Sequence, residues 1–97
     1  MAYKTITSPD TEKDIEKAIL WYKDIKIGLA RSFIDELGYT RKHIQLNPRK
    51  FQIRYNNIRI GFLRKFPYGL HYKFEDDTIT FVAVFHTSED PQKWENR

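Results

Sequence analysis

A chain of 97 residues and 11.7 kDa has material for one hydrophobic core, so a single domain over residues 1–97 is expected. Hydrophobic residues make up 40% and charged residues 31%, which excludes disordered, collagenous and membrane-spanning classes. The absence of cysteine removes disulfides and thiolate metal sites and fits a reducing compartment.

The net charge of +4 is unevenly spread. From Arg49 to Phe74 there are seven basic residues (Arg49, Lys50, Arg54, Arg59, Arg64, Lys65 and Lys73) and no acid. Residues 75–97 carry six acids against Lys93 and Arg97. The basic block is where an anionic partner is expected to dock, and the competing reading is a solvated face without a ligand.

In chain order, Tyr3 to Ile6 is a short β-prone segment without an apolar core of signal-peptide length, and no run of about 18 apolar residues follows anywhere. A cytoplasmic protein with no membrane partner is therefore expected. Ser8-Pro9 reads as a helix cap followed by a first-turn proline. Asp10, Glu12 and Asp14 lie where they complement the helix dipole, and Ile15, Ala18, Ile19, Tyr22 and Ile25 form one apolar face. The pattern breaks near Lys26-Ile27-Gly28. A second helical register runs through Ala30, Phe33, Leu37, Thr40 and Ile44 until Asn47-Pro48 stops it, so the pair reads as an antiparallel helical hairpin. Trp21-Tyr22 is expected in the core or between the helices.

Beyond Pro48 the period changes to two. Ile58 to Phe66 reads as a strand in which Arg64 breaks the alternation, either through a bulge near Gly61 or at the sheet margin. Leu70 to Glu75 and Thr78 to His86 read as a hairpin turned by Asp76-Asp77. Within the second run, Ile79, Phe81, Ala83 and Phe85 are expected on one face and Val82, Val84 and His86 on the other, which suits an interior strand. Asp90-Pro91 starts one short helical turn, and Trp94 either pins the tail or belongs to a contact surface. The fold class is α+β. A short N-terminal strand and a helical hairpin pack on one face of an antiparallel sheet of about four strands, leaving the opposite face for the basic side chains.

Glycine-rich nucleotide loops, zincin and serine-hydrolase motifs are absent, and His43, His71 and His86 lack ligand-like spacing, so no metal or cofactor is expected. Arg59, Arg64, Lys65 and His86 could together cleave RNA without a metal, because attack by a 2′-hydroxyl needs a base, an acid and cations at the phosphate. Each has a structural alternative: a hydrogen-bonded strand-end histidine, a solvated Arg59, or an Arg64 paired with the acids of residues 75–77.

Taken in order, Ala18-Ile19-Leu20-Trp21-Tyr22, Gly28-Leu29 with Phe33, Asn47-Pro48, Phe66-Pro67-Tyr68, Ala83-Val84-Phe85-His86 and Asp90-Pro91-Gln92-Lys93-Trp94 resemble the RelE/ParE superfamily of toxins from type II toxin–antitoxin modules. The resemblance spans residues 3–97. It implies a bacterial growth-inhibiting toxin, of the kind associated with plasmid stabilization, and a cognate antitoxin usually encoded beside it, with DNA contacted only through that antitoxin. RelE-like members are ribosome-dependent mRNA endonucleases, whereas ParE-like members inhibit DNA gyrase by binding. His86 matches the strand-end histidine of many relatives, and Arg59 and Arg64 fall at basic positions of the central strand. Where many relatives carry an arginine after the histidine, this chain has Thr87-Ser88-Glu89-Asp90. The hairpin and the ending resemble the ParE side. A gyrase inhibitor is therefore the favoured expectation, and the alternatives are an mRNA interferase using His86, Arg59 and Arg64 or an inactive fold that retains only antitoxin binding. Arg49, Arg54, Arg59, Arg64, Lys65, Lys73 and Trp94 are the expected contacts for antitoxin or target.

Overall fold

The computed structural model describes residues 3–95 and 97. The elements are β1 (Lys4–Thr7), α1 (Pro9–Ile25), α2 (Ile27–Leu46), β2 (Ile53–Tyr55), β3 (Ile58–Phe62), β4 (Tyr68–Glu75), β5 (Thr78–His86) and α3 (Gln92–Glu95). The Ser8 hydroxyl accepts from the Thr11 amide and caps α1, as the sequence predicts. One extended residue, Lys26 (φ −166°, ψ 132°), separates α1 from α2, so Gly28 lies inside the second helix rather than at the joint. Among the described residues no helix is long and apolar enough to cross a membrane.

The sheet has five strands in the order β1-β5-β4-β3-β2. Strands β2 to β5 form the expected antiparallel meander, and β1 runs parallel to β5 with Lys4 opposite Thr78 and Thr7 opposite Phe81. Both two-residue turns have positive φ: 41° and 63° at Asn56-Asn57, 52° and 57° at Asp76-Asp77. Short polar side chains that tolerate the left-handed region are what such hairpins select. The β2–β3 hairpin extends the sheet beyond the strands predicted individually, because three residues among cations carry almost no periodic signal.

A bulge corrects the facing of β5. His71 pairs with Ala83 and Tyr72 with Phe81, so Val82 is an extra residue and the alternation inverts after it. Val84 and His86 therefore share the helix-covered face with Ile79 and Phe81, while Ala83 and Phe85 turn to the outer face. The register of β1 ends at Phe81, where α1 takes over the exposed edge of β5. The Ser8 amide and the Thr11 hydroxyl donate to the Phe81 carbonyl at 3.1 and 3.0 Å, and the Asp14 carboxylate accepts from the Val84 amide at 3.0 Å.

Ala18, Phe33, Leu37 and Ile44 pack on Leu70, Tyr72, Ile79, Phe81 and Val84 to make the core. Helix α2 approaches β3 over Gly61, where a methyl group would sit 2.9 Å from Ile44 Cδ1. The outer face differs from the expected basic surface. Ile58, Ile60, His71, Ala83 and Phe85 are all buried there, with Tyr55 and Trp94 packed against His71. The strands are apolar on both faces because both faces are covered.

Candidate functional site

The basic block does not converge on one face. Arg59 lies on the helix-facing side of β3, opposite Tyr72, and its guanidinium donates to the carbonyls of Arg49 and Phe51. It fastens the segment entering β2. Arg64 follows β3 at the sheet margin, one of the two placements that its broken alternation allowed. Its partner is Glu36 of α2 rather than the acids of residues 75–77: two hydrogen bonds of 2.6 and 3.2 Å join the fork to the carboxylate, and the guanidinium stacks 3.4 Å from the Tyr39 ring centre. This contact holds the Glu36 carboxyl below its ordinary range. The arrangement is a bidentate clasp between the loop after β3 and the middle of α2.

His86 ends β5 beside Tyr68, with ring centres 5.1 Å apart. The Ser88 amide donates to its Nδ1 at 3.0 Å, and the Ser88 hydroxyl lies 2.7 Å from the same atom. This assigns the proton of the neutral ring to Nε2. Through β4, Arg59 is registered to Tyr72 and His86 to Tyr68. Four residues of strand separate these positions by about 13 Å along the sheet, and the two flanking strands lie about 10 Å apart. Arg59 and His86 thus lie apart on the sheet, and each of the three groups of the nuclease reading has a partner of its own.

The remaining cations are freer. Arg49 stacks on Phe74 and Arg54 on Phe62, at 4.9 and 5.6 Å from the ring centres. The ion pairs among the described residues are Arg64–Glu36 and Arg97–Asp14, so Arg49, Arg54, Lys65 and Lys73 have no carboxylate partner there. No group of three or more His, Asp or Glu side chains could hold a metal ion among the described residues.

Two features escaped the sequence reading. The first is the outer-face aromatic cluster. His71 is 1% exposed, its Nδ1 shares a 2.7 Å hydrogen bond with the Tyr55 hydroxyl, and its ring packs on Phe85 and Trp94. Burial pushes its pKa down to about 4, with Asp14 opposing the shift and Arg97 adding to it. The same burial raises the Tyr55 phenol to about 12. Trp94 thus pins the tail, and Arg97 closes the clamp with two hydrogen bonds to Asp14 and one to the Val82 carbonyl. The signal available in the sequence was the alternation of His71 with the core residues Leu70 and Tyr72, which puts it on a strand face that the tail could cover.

The second feature is a groove of about 450 Å³ between α1 and the end of β5, floored by Ala18, Tyr68 and Val84 and walled by Trp21. Tyr22 joins the core against Phe33 and Phe66 as expected. Trp21 is 64% exposed, because the helix turns it about 100° away from its neighbour.

Comparison with known proteins agrees with this architecture. The family described as ParE toxin of the type II toxin–antitoxin system, parDE, matches residues 6–91. A solved structure described as the chromosomal ParDE TA system from P. aeruginosa superposes with a TM-score of 0.76 at 11% sequence identity, covering 88% of this chain and 96% of that one. At that identity the likeness is one of fold. No curated protein matches the chain.

Proposed function

Since the chain belongs to the ParE toxin family of type II toxin–antitoxin systems, we propose that it inhibits DNA gyrase by protein–protein contact, without bond-making chemistry of its own, and that a cognate antitoxin neutralises it. The observation that carries this reading is the fate of the nuclease candidates. Arg59 is spent on backbone carbonyls, Arg64 on Glu36 and Tyr39, and His86 is registered four residues along β4 from Arg59. Metal-free RNA cleavage needs donors focused on one phosphate as its charge builds. Here Glu89 and Asp90 follow His86 closely, and acids repel an approaching phosphodiester.

The test is a pair of assays on the purified protein, one of gyrase supercoiling and one of mRNA integrity in a defined translation system. The reading expects supercoiling to be blocked, mRNA to stay intact, and His86→Ala to change neither result. Codon-linked cuts abolished by His86→Ala would replace it with the mRNA interferase reading.

A further inference from the structure

The sheet order ends at β2, whose only strand neighbour among the described residues is β3. Its outer side is therefore an open hydrogen-bonding edge. Arg54 is exposed on this strand and Lys50 in the turn leading into it, and Ile53 and Phe62 are 53% and 47% exposed. From Leu37 to Phe74 the chain has nine basic residues and no acid. The opposite edge has another character: β1 begins at Lys4, opposite Thr78, directly after Glu75-Asp76-Asp77.

We propose that the β2 edge docks an extended acidic polypeptide segment, which joins the sheet as a sixth strand. The inference rests on the toxin–antitoxin reading, and the segment is then part of the antitoxin. Shortness, a register shift and cations are ordinary protection for an edge strand. Exposed Ile53 and Phe62 work against such protection, so the edge is selective rather than closed. Its charges turn away neutral and basic strands, and its apolar side chains give an acidic one something to bury. Main-chain pairing over three residues supplies little affinity, so recognition falls mainly on the side chains. Glu75 reaches the β2–β3 turn, where Asn57 donates to it at 2.7 Å, so the partner's acids belong at the Lys50–Arg54 end. A nucleic acid would share the charge preference and leave both the open backbone edge and the apolar anchors unused.

The experiment follows amide hydrogen exchange across the full-length protein, alone and with the product of the reading frame adjacent to its gene, together with calorimetric titration. Binding should slow exchange at residues 52–55 and weaken with salt. Arg54→Glu should weaken it at least about tenfold, whereas Lys13→Glu on the exposed side of α1 should not. Protection confined to β1 or the helices, or equal losses in the two variants, would overturn the β2 assignment and leave the toxin–antitoxin reading standing. A failure of the adjacent product to bind would remove that reading, and the inference with it.

Discussion

Two helices of 17 and 20 residues close one face of the sheet, and a four-residue helix closes the other. Under α1 and α2 the contacts are many, apolar and redundant, with Phe33 meeting Tyr22, Phe66 and Tyr68 at ring-centre distances of 5.2–5.5 Å. On the outer face, closure depends on Trp94, the Tyr55–His71 hydrogen bond and the Arg97–Asp14 clamp. The Trp94 indole nitrogen is buried with no hydrogen-bond partner among the described residues. The helical face gains stability from apolar area. The outer face depends on keeping water and protons away from one histidine, and that makes its contribution conditional on pH.

The sharpest contrast is expected at Phe33, which is fully buried. Phe33→Ala should cost about 3–5 kcal/mol at any pH, read by denaturant melting. A loss under about 1 kcal/mol would mean that the helical face is not the principal core.

Next in size is the acid response of the outer face. His71 binds its proton near pH 4 in the folded state and near 6.5 when unfolded. Between those values the unfolded chain holds more protons, so stability is complete above about pH 6.5 and falls as the pH drops toward 4. That difference corresponds to about 3 kcal/mol. Denaturant melts across this range measure it, and in His71→Phe that part of the slope should vanish. An unchanged slope would assign acid sensitivity elsewhere.

The two tryptophans give a smaller, paired contrast. Trp94→Ala should cost about 2 kcal/mol and let water reach His71, moving its titration back toward the ordinary value. Trp21→Ala removes a side chain that is largely in solvent and should change stability by less than about 0.5 kcal/mol. Equal losses at both positions would mean that the groove beside α1 has a structural role of its own.

The helical face was legible in the sequence because its signals are local. Ser8-Pro9 marks the start of α1, Asn47-Pro48 the end of α2, and Phe33, Leu37, Thr40 and Ile44 recur with the helical period that buries all four. Asp76-Asp77 marks the hairpin for the same reason. The outer face was not legible, because its burial joins residues distant in sequence: Trp94 closes over His71 and Tyr55, and Arg97 reaches Asp14 83 positions away. The inversion at Val82 is likewise hidden, since Val82, Ala83, Val84 and Phe85 are all apolar and either register satisfies the pattern. Ile25 fits the apolar face of α1 by spacing and is nevertheless 61% exposed, at the last residue of the helix. For the site, Arg64 was marked by its broken alternation, but its partner Glu36 lies on another element and left no mark of its own.

The claim that joins these observations is that the outer face is a second, desolvated core. Following the His71 ring signals by NMR through an acid titration tests it most directly. The ring should stay neutral down to about pH 4, with protonation coupled to loss of the Trp94 contact. Titration near 6.5 in a protein whose other signals stay native would contradict it.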